Sequence, residues 1–344
     1  MKEAAAASFT GLIDLAAAEL GGQALGASDD FFAGVENLIL PGRGVFIADK
    51  FTERGKWMDG WESRRKRHGE HGGHDHCILQ LGVAGRVLGL DIDTNHFSGN
   101  HPQFASVDGL VAASGTPFEA LQSLRWSELL GQVPLRPSAQ NLFATNDIGP
   151  VTHLRLNIFP DGGVARFRAY GRVVSDWAPA VLDDVTRAKV PAGLVDLAAV
   201  TNGGLALACS DAHFGPMNNL LLPGRAANMG GGWETRRNRG PGHDWILIQL
   251  GARARAQVIE VDTNHFKGNY PDRCSIDVID APDARITELI RSNAWHNVLP
   301  ETKLEAHTRH FFELAQQPTA THLRLNILPD GGCSRLRVWG SREG

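Results

Sequence analysis

Thr152-His153-Leu154-Arg155-Leu156-Asn157-Ile158-Phe159-Pro160-Asp161-Gly162-Gly163 returns 169 residues later as Thr321-His322-Leu323-Arg324-Leu325-Asn326-Ile327-Leu328-Pro329-Asp330-Gly331-Gly332, with one change in twelve positions. Leu154, Leu156 and Ile158 alternate with Arg155 and Asn157. A period of two marks a strand with one buried face. Pro160-Asp161-Gly162-Gly163 supplies a turn in which the glycines are free to take positive φ. Residues 166–171 then return as the second arm of a hairpin. A strand, turn and strand written twice predict a tandem duplication of one β domain.

Working outward, Asp93-Thr94-Asn95-His96-Phe97 maps onto Asp262-Thr263-Asn264-His265-Phe266 at the same offset. Upstream, Leu88, Leu90 and Ile92 alternate with Gly89, Asp91 and Asp93, and Gln257, Ile259 and Val261 keep that phase. Short helices are expected over 118–130 and 283–295. Many short strands with glycine-rich turns predict an all-β chain with a β-sandwich in each half. The expected boundaries are 12–173 for the first repeat, 174–193 for a linker containing Pro179 and Pro191, and 194–342 for the second repeat. A short helix is expected at 181–189 within the linker. The copies differ where the first carries ten extra residues across 44–59, among them Lys50, Glu53, Arg54, Lys56 and Trp57, and three more at 68–73.

A length of 344 residues suits two domains, which agrees with the repeat. A net charge of −4 argues against nucleic acid or an anionic membrane as the main partner. No apolar run approaches the ~18 residues of a membrane span. Met1-Lys2-Glu3-Ala4-Ala5 lacks the long apolar core of a signal peptide. The four cysteines, Cys77, Cys209, Cys274 and Cys333, stand opposite apolar residues in the other copy. They read as buried hydrophobes, neither a disulfide framework nor a zinc site, which fits a reducing, cytoplasmic home.

Polar clusters recur with the strands. Trp61-Glu62-Ser63-Arg64-Arg65, followed by Arg67, matches Trp233-Glu234-Thr235-Arg236-Arg237, followed by Arg239. Arginines beside a carboxylate suit a small anionic ligand, because the guanidinium fork binds a carboxylate in a bidentate way; a solvated basic patch is the competing reading. Asn95, His96 and Asn100, with Asn264, His265 and Asn269, end a strand and offer an imidazole and amides to a ligand, or close a turn. Arg155 with Asn157, and Arg324 with Asn326, stand one pleat apart on a polar strand face, roughly 6–7 Å by strand rise. His68, Glu70, His71, His74, Asp75 and His76 form a tract with metal-ligand chemistry, but only His74-Asp75 has a counterpart, His243-Asp244, so no metal site is assigned.

The run Phe51-Thr52-Glu53-Arg54-Gly55-Lys56-Trp57-Met58-Asp59-Gly60-Trp61-Glu62-Ser63-Arg64-Arg65 resembles the allantoicase (allantoate amidinohydrolase) family. His74-Asp75, the stretch 93–102 and both Leu-Arg-Leu-Asn-Ile hairpins match it too, so the resemblance spans nearly the whole chain. It implies two jelly-roll, galactose-binding-like sandwiches in tandem. It also implies hydrolysis of the small molecule allantoate to ureidoglycolate and urea in purine degradation, without a cofactor. For that chemistry Glu62 and His96 are the expected proton-transfer residues. Arg64, Arg65 and Arg155 are expected on the substrate carboxylate, and Asn95, Asn100 and Asn157 on its ureido groups. Glu234, Arg236, Arg237, Asn264, His265, Asn269, Arg324 and Asn326 are the second-copy equivalents. A non-catalytic tandem sandwich binding a small ligand or carbohydrate is the alternative. Exposed sheet edges leave homo-oligomerisation open.

Overall fold

The computed structural model describes residues 9–66, 73–178 and 181–343. The N-terminal stretch 1–5, Arg67, the His68, Glu70 and His71 part of the histidine tract, and Pro179 lie outside the described residues. The chain forms two compact units, Met1–Val174 and Ser175–Gly344.

In the first unit, β1 is Ile13–Asp14, β2 Gln23–Ala27, β3 Phe51–Thr52, β4 Gly55–Lys56, β5 Trp61–Glu62 and β6 Asp75–Asp93. They are followed by β7 (Phe104–Leu110), α1 (Phe118–Gln122), β8 (Ser127–Pro134), β9 (Leu142–Ala144), β10 (Val151–Phe159), β11 (Gly163–Val164) and β12 (Arg166–Val173). The 19-residue β6 organises all of this. Its first half pairs with β2 and β10, and β10 leads on to β7 and β8. Its second half pairs with β9 and β12, and β12 leads on to β1. One strand therefore runs through both layers of an antiparallel sandwich. At the crossing, a Cβ on Gly82 would stand 2.6 Å from the Leu20 carbonyl oxygen, so no side chain fits. Gly251 plays the same part in the second unit, 2.0 Å from the Asn202 carbonyl.

The core lies between the layers. Leu154, Leu156 and Ile158 of β10 meet Cys77 and Leu79 of β6, Leu90 and Ile92 beyond the crossing, and Phe167 of β12. All are fully buried, and each apolar side chain of this size contributes about 1.5–3 kcal/mol on leaving water. The expected alternation holds over β10 but breaks in β6. Tyr170 pairs with Gly89 and Gly171 with Val87, which leaves Leu88 as the extra residue of a bulge. Val87 takes the core position and Leu88 is only half-buried. The second unit repeats the bulge at Gln257, between the pairs Trp339–Val258 and Gly340–Ala256.

The helices are shorter than expected. Only Phe118–Gln122 and Ile286–Arg291 are helical. The chain then enters the strands Ser127–Pro134 and His296–Lys303, which bury Leu129, Leu130, Val298 and Leu299 against the neighbouring strand. Strand pairing and burial override helix propensity there. The helix expected at 181–189 covers Asp184–Lys189, capped by the Asp183 carboxylate. This segment packs on the second unit: Val190 meets Val258 and Trp339, and Arg309 holds Asp183 and Thr186. All four cysteines are free thiols, three of them buried and Cys209 half-buried. No helix among the described residues is long and apolar enough to cross a membrane.

Candidate functional site

Strand β5 pairs with β11 in a two-stranded ribbon outside the main sheet. Trp61 drives its inner face fully into the core and donates its indole N–H to the Asp29 carbonyl at 2.9 Å. The next residue, Glu62, must then face outward, toward the loop after β6. There Asn100 Nδ2 donates to Glu62 Oε1 at 2.7 Å. Burial pushes the Glu62 carboxyl above its ordinary range, with the Asn100 amide opposing the shift. The turn before β11 fixes Asn100. Gly162 has φ +134°, and a Cβ there would lie 2.6 Å from the Asn100 carbonyl oxygen. Gly163 N–H donates to that oxygen at 2.8 Å.

Arg64 is anchored by Asp29, which accepts from Arg64 Nε at 2.6 Å and from its backbone N–H at 3.1 Å. Burial works against the Asp29 charge, yet the Phe31 and Arg64 N–H groups hold its carboxyl below the usual range. The guanidinium of Arg64 stays 64% exposed, beside the Phe31 ring. Arg65 is exposed and has no hydrogen-bond or ion-pair partner among the described residues.

His96 and Asn95 sit at the end of β6, three and two residues past Asp93. Asp93 is buried and held bidentately by Arg43, at 2.8 and 3.0 Å. It also accepts the Asn95 N–H, while the Asn95 amide donates to the Gly44 carbonyl at 2.8 Å. Asn95 thereby ties the start of the inserted segment to the strand end. His96 adopts φ +67°, in the left-handed region that non-glycine residues rarely enter. Its ring lies 5.6 Å from Phe46 and makes no hydrogen bond among the described residues. Close by, Asp59 pairs with the buried Arg166 at 2.9 Å. Burial alone would raise the Asp59 carboxyl; Arg166, the Val45 N–H and His96 together hold it below its usual range.

Glu62, Arg64, Asn95, His96 and Asn100 thus belong to connected loops at one end of the sandwich. Arg155 and Asn157 stand on β10, Asn157 opposite His76 of β6. Both lie on the outer face of β10, where Asp108 Oδ2 accepts from Arg155 at 2.8 Å and from Asn157 at 2.9 Å. Trp126 stacks on Arg155, and His74 reaches Asn157 Oδ1 at 3.3 Å. The second unit repeats this face with Arg324, Asn326, Asp277, Trp295 and His243. Of the histidine tract, His74 and His76 stand 6.3 Å apart, and Asp75 is committed to Ser28 and Lys66. No group of three or more histidine, cysteine or acidic residues arranged for a metal occurs among the described residues.

At the loop end of the second unit, Asn269 donates to Glu234 at 2.5 Å and Asp211 anchors Arg236. Arg225 pairs with Asp262, Asn264 donates to the Ala226 carbonyl, and Arg237 is exposed. Two differences stand out. Gly231 occupies the place of Asp59, so Arg335 has only carbonyl acceptors, and burial lowers its pKa to about 10. His265 also donates its ring Nε2–H to the Ala226 carbonyl at 3.0 Å. Sequence reasoning missed Asp59, Arg166 and the anchors Asp29 and Arg43. The last two stand in repeated motifs, Ser28-Asp29 and Leu40-Pro41-Gly42-Arg43, and that repetition was the signal for them.

The family described as Allantoicase repeat matches residues 13–174 and 195–343. A probable allantoicase of Pseudomonas paraeruginosa is 49% identical over 339 residues, 97% of each chain. One from Burkholderia mallei is 46% identical over 96% of this chain and 95% of its own. The crystal structure of allantoicase from Saccharomyces cerevisiae is similar with a TM-score of 0.81 at 36% identity, covering 98% of this chain and 97% of that one.

Proposed function

The chain belongs to the allantoicase family, and on that premise we propose that its first copy carries the working site. The protein hydrolyses allantoate to ureidoglycolate and urea, acting on a C–N bond of a linear amidine in allantoin degradation. The observations that carry the first-copy reading are those the second copy lacks: Asp59 paired with Arg166, and a His96 ring without a hydrogen bond among the described residues where His265 bonds a carbonyl; burial also raises the Glu62 carboxyl, which Asn100 holds.

Allantoate has one carbon bearing a carboxylate and two ureido groups. Urea leaves poorly unless its departing nitrogen is protonated. In the proposed mechanism Glu62, in its acid form, gives that proton as the C–N bond breaks, while the lone pair of the remaining ureido nitrogen assists. Water then adds to the carbon, and His96 takes its proton. Exchange with solvent restores Glu62 acid and neutral His96, so one water is consumed for each urea released. Arg64 and Arg65 face the substrate carboxylate, and Asn100 holds Glu62 and one ureido group. Asn95 shapes the loop. Arg155 and Asn157, both engaged by Asp108, are proposed not to contact the substrate. The second-copy residues Glu234, Arg236, Arg237, Asn264, His265, Asn269, Arg324 and Asn326 are proposed to maintain fold rather than chemistry.

Urea release by paired variants tests this. Glu62→Gln should lower turnover by about 10²–10⁴-fold, the usual contribution of a general acid, with Glu234→Gln near normal. The reverse pattern sinks the first-copy assignment. The free thiols support cytoplasmic residence as a further proposal. Self-association is also proposed, on the exposed Val45, Phe46, Ile47 and Phe51, and sedimentation would test it.

A further inference from the structure

The ten residues that the first copy adds before Trp61 include a two-stranded hairpin, β3 and β4, with no counterpart in the second copy. The hairpin is highly exposed, Phe51 being 68% accessible. At its tip Arg54 N–H donates to Thr52 Oγ1, and at its base Lys50 lies over the Trp57 ring at 3.7 Å. One side chain of the tip reaches the loop that anchors the candidate site. Arg54 Nη1 donates to the Phe31 carbonyl at 3.2 Å, and its guanidinium carbon lies 5.4 Å from the Phe31 ring centre. The guanidinium of Arg64 lies 5.2 Å from that same ring. The two cations can therefore be no further apart than the sum of those distances. Both cations border one aromatic ring.

Arg54 has no counter-ion closer than Glu53 among the described residues, and Arg64 is paired on its Nε side only. The Arg54 contact with Glu53 is long, at 4.0 Å, and Glu53 itself is 88% exposed. Asp29 engages the Nε of Arg64. Both side chains remain about half exposed or more, at 52% and 64%. The second copy has His213 in place of Phe31, and no residue at all for Arg54. The first copy thus holds a second guanidinium on the segment 29–32, whose backbone also bonds to β5 at Glu62: Phe32 N–H donates to the Glu62 carbonyl at 3.1 Å.

We propose that Arg54 is a specificity-determining residue that binds the substrate carboxylate alongside Arg64, so that the first copy selects an anionic diureido compound. This rests on the first-copy reading of the active site. The Phe31 carbonyl and ring orient the Arg54 fork from behind and leave its remaining N–H groups for a carboxylate. A neutral analogue gives that fork nothing to bind and leaves the Arg54 charge without a close counter-ion.

The test compares allantoate with its carboxamide, in which a neutral amide replaces the carboxylate, using urea release by the full-length protein. Arg54→Gln should raise KM for allantoate about tenfold or more, as expected for losing a charged fork, while KM for the carboxamide shifts less than about twofold. Arg54→Lys, keeping charge without the fork, should fall between. Melting temperature should stay unchanged in both variants, because the side chain is half exposed. An allantoate KM within about twofold of wild type overturns the proposal, and so does an equal rise for both compounds, which would mark Arg54 as a latch for the hairpin. The Glu62→Gln control separates the two readings. If that variant is inactive and Arg54→Gln binds allantoate normally, only the role of Arg54 falls. If Glu62→Gln turns over normally, the first-copy site falls as well.

Discussion

The two loop ends of this chain share their fasteners and differ in what the fasteners leave free. In both copies an arginine clamps the aspartate at the end of the long strand, as Arg43–Asp93 and Arg225–Asp262. In both, an aspartate anchors the arginine two residues past the ribbon glutamate. The imidazoles diverge. His265 spends its ring N–H on a backbone carbonyl, whereas the His96 ring carries no hydrogen bond among the described residues. Asp59 has no carboxylate counterpart in the second copy. The residue types are repeated, and the difference between the copies lies in what their surroundings leave free.

Asp59 offers the largest break of this comparison. Asp59→Ala gives the first copy the arrangement of the second, leaving Arg166 only carbonyl oxygens. Removing one partner of a buried pair costs about 3–5 kcal/mol, and the neighbouring carbonyls place this case at the lower end. Urea or thermal unfolding would show it. The acid limb carries a signature too. The folded Asp59 pKa lies below its unfolded value, so its stabilisation is present above the unfolded value and is lost as pH falls through the folded one. The variant should show a flatter loss of stability on acidification. An unchanged limb would mean that the pair contributes nothing.

His96→Ala against His265→Ala comes next. A general base is worth about 10²-fold or more, close to 2.7 kcal/mol of barrier, so the first variant should slow urea release by that factor. The second should stay within about threefold, since the ring it removes is already tied to a carbonyl. Equal losses would make the copies equivalent.

The pH–rate profile gives a smaller but directional test. Glu62 is the proposed acid, and burial raises its pKa above the ordinary 4.5. The rate should therefore fall on the alkaline side as Glu62 ionises, and Glu62→Gln should remove that limb from whatever activity remains. A limb that persists in the variant belongs to another group.

The smallest effect is expected at Lys66, which pairs with the buried Asp75 at 3.0 Å where the second copy has Asn238. Asp75 Oδ2 has no hydrogen-bond partner among the described residues, while Ser28 bonds the other oxygen as Ser210 does for Asp244. Lys66→Asn should cost about 1 kcal/mol in unfolding experiments. A cost several times larger would show that the copies rely on different fasteners at this strand start as well.

Particular residues show how far the sequence could be read. Leu154, Leu156 and Ile158 announced their strand because every second side chain enters one core. Leu88 misled because a bulge consumes one residue and turns the phase over, which composition does not reveal. Leu129 and Leu130 looked helical because their partners on β7 are about twenty residues away in the chain. At the site, Glu62 and Asn100 were legible as types and as repeats, but their hydrogen bond depends on a glycine turn sixty residues further on. Arg155 was legible as a cation; that Asp108 occupies it is a fact of cross-strand register, invisible until β7 and β10 are aligned. Asp59 stood in unrepeated sequence, where comparison of the copies gives no guidance.

The strand Asp75–Asp93 has a thermodynamic consequence. It is hydrogen-bonded to β2, β9, β10 and β12, members of both layers. Its amides cannot be released by peeling one sheet from the other, because the strand is common property of both. Native-state hydrogen exchange should therefore find this segment among the slowest-exchanging amides of its unit, opening only with global unfolding, while the hairpin at 51–56 exchanges by local fluctuation. The most protected and the most labile backbone of the first copy would then flank, along the chain, the ribbon strand that carries Glu62.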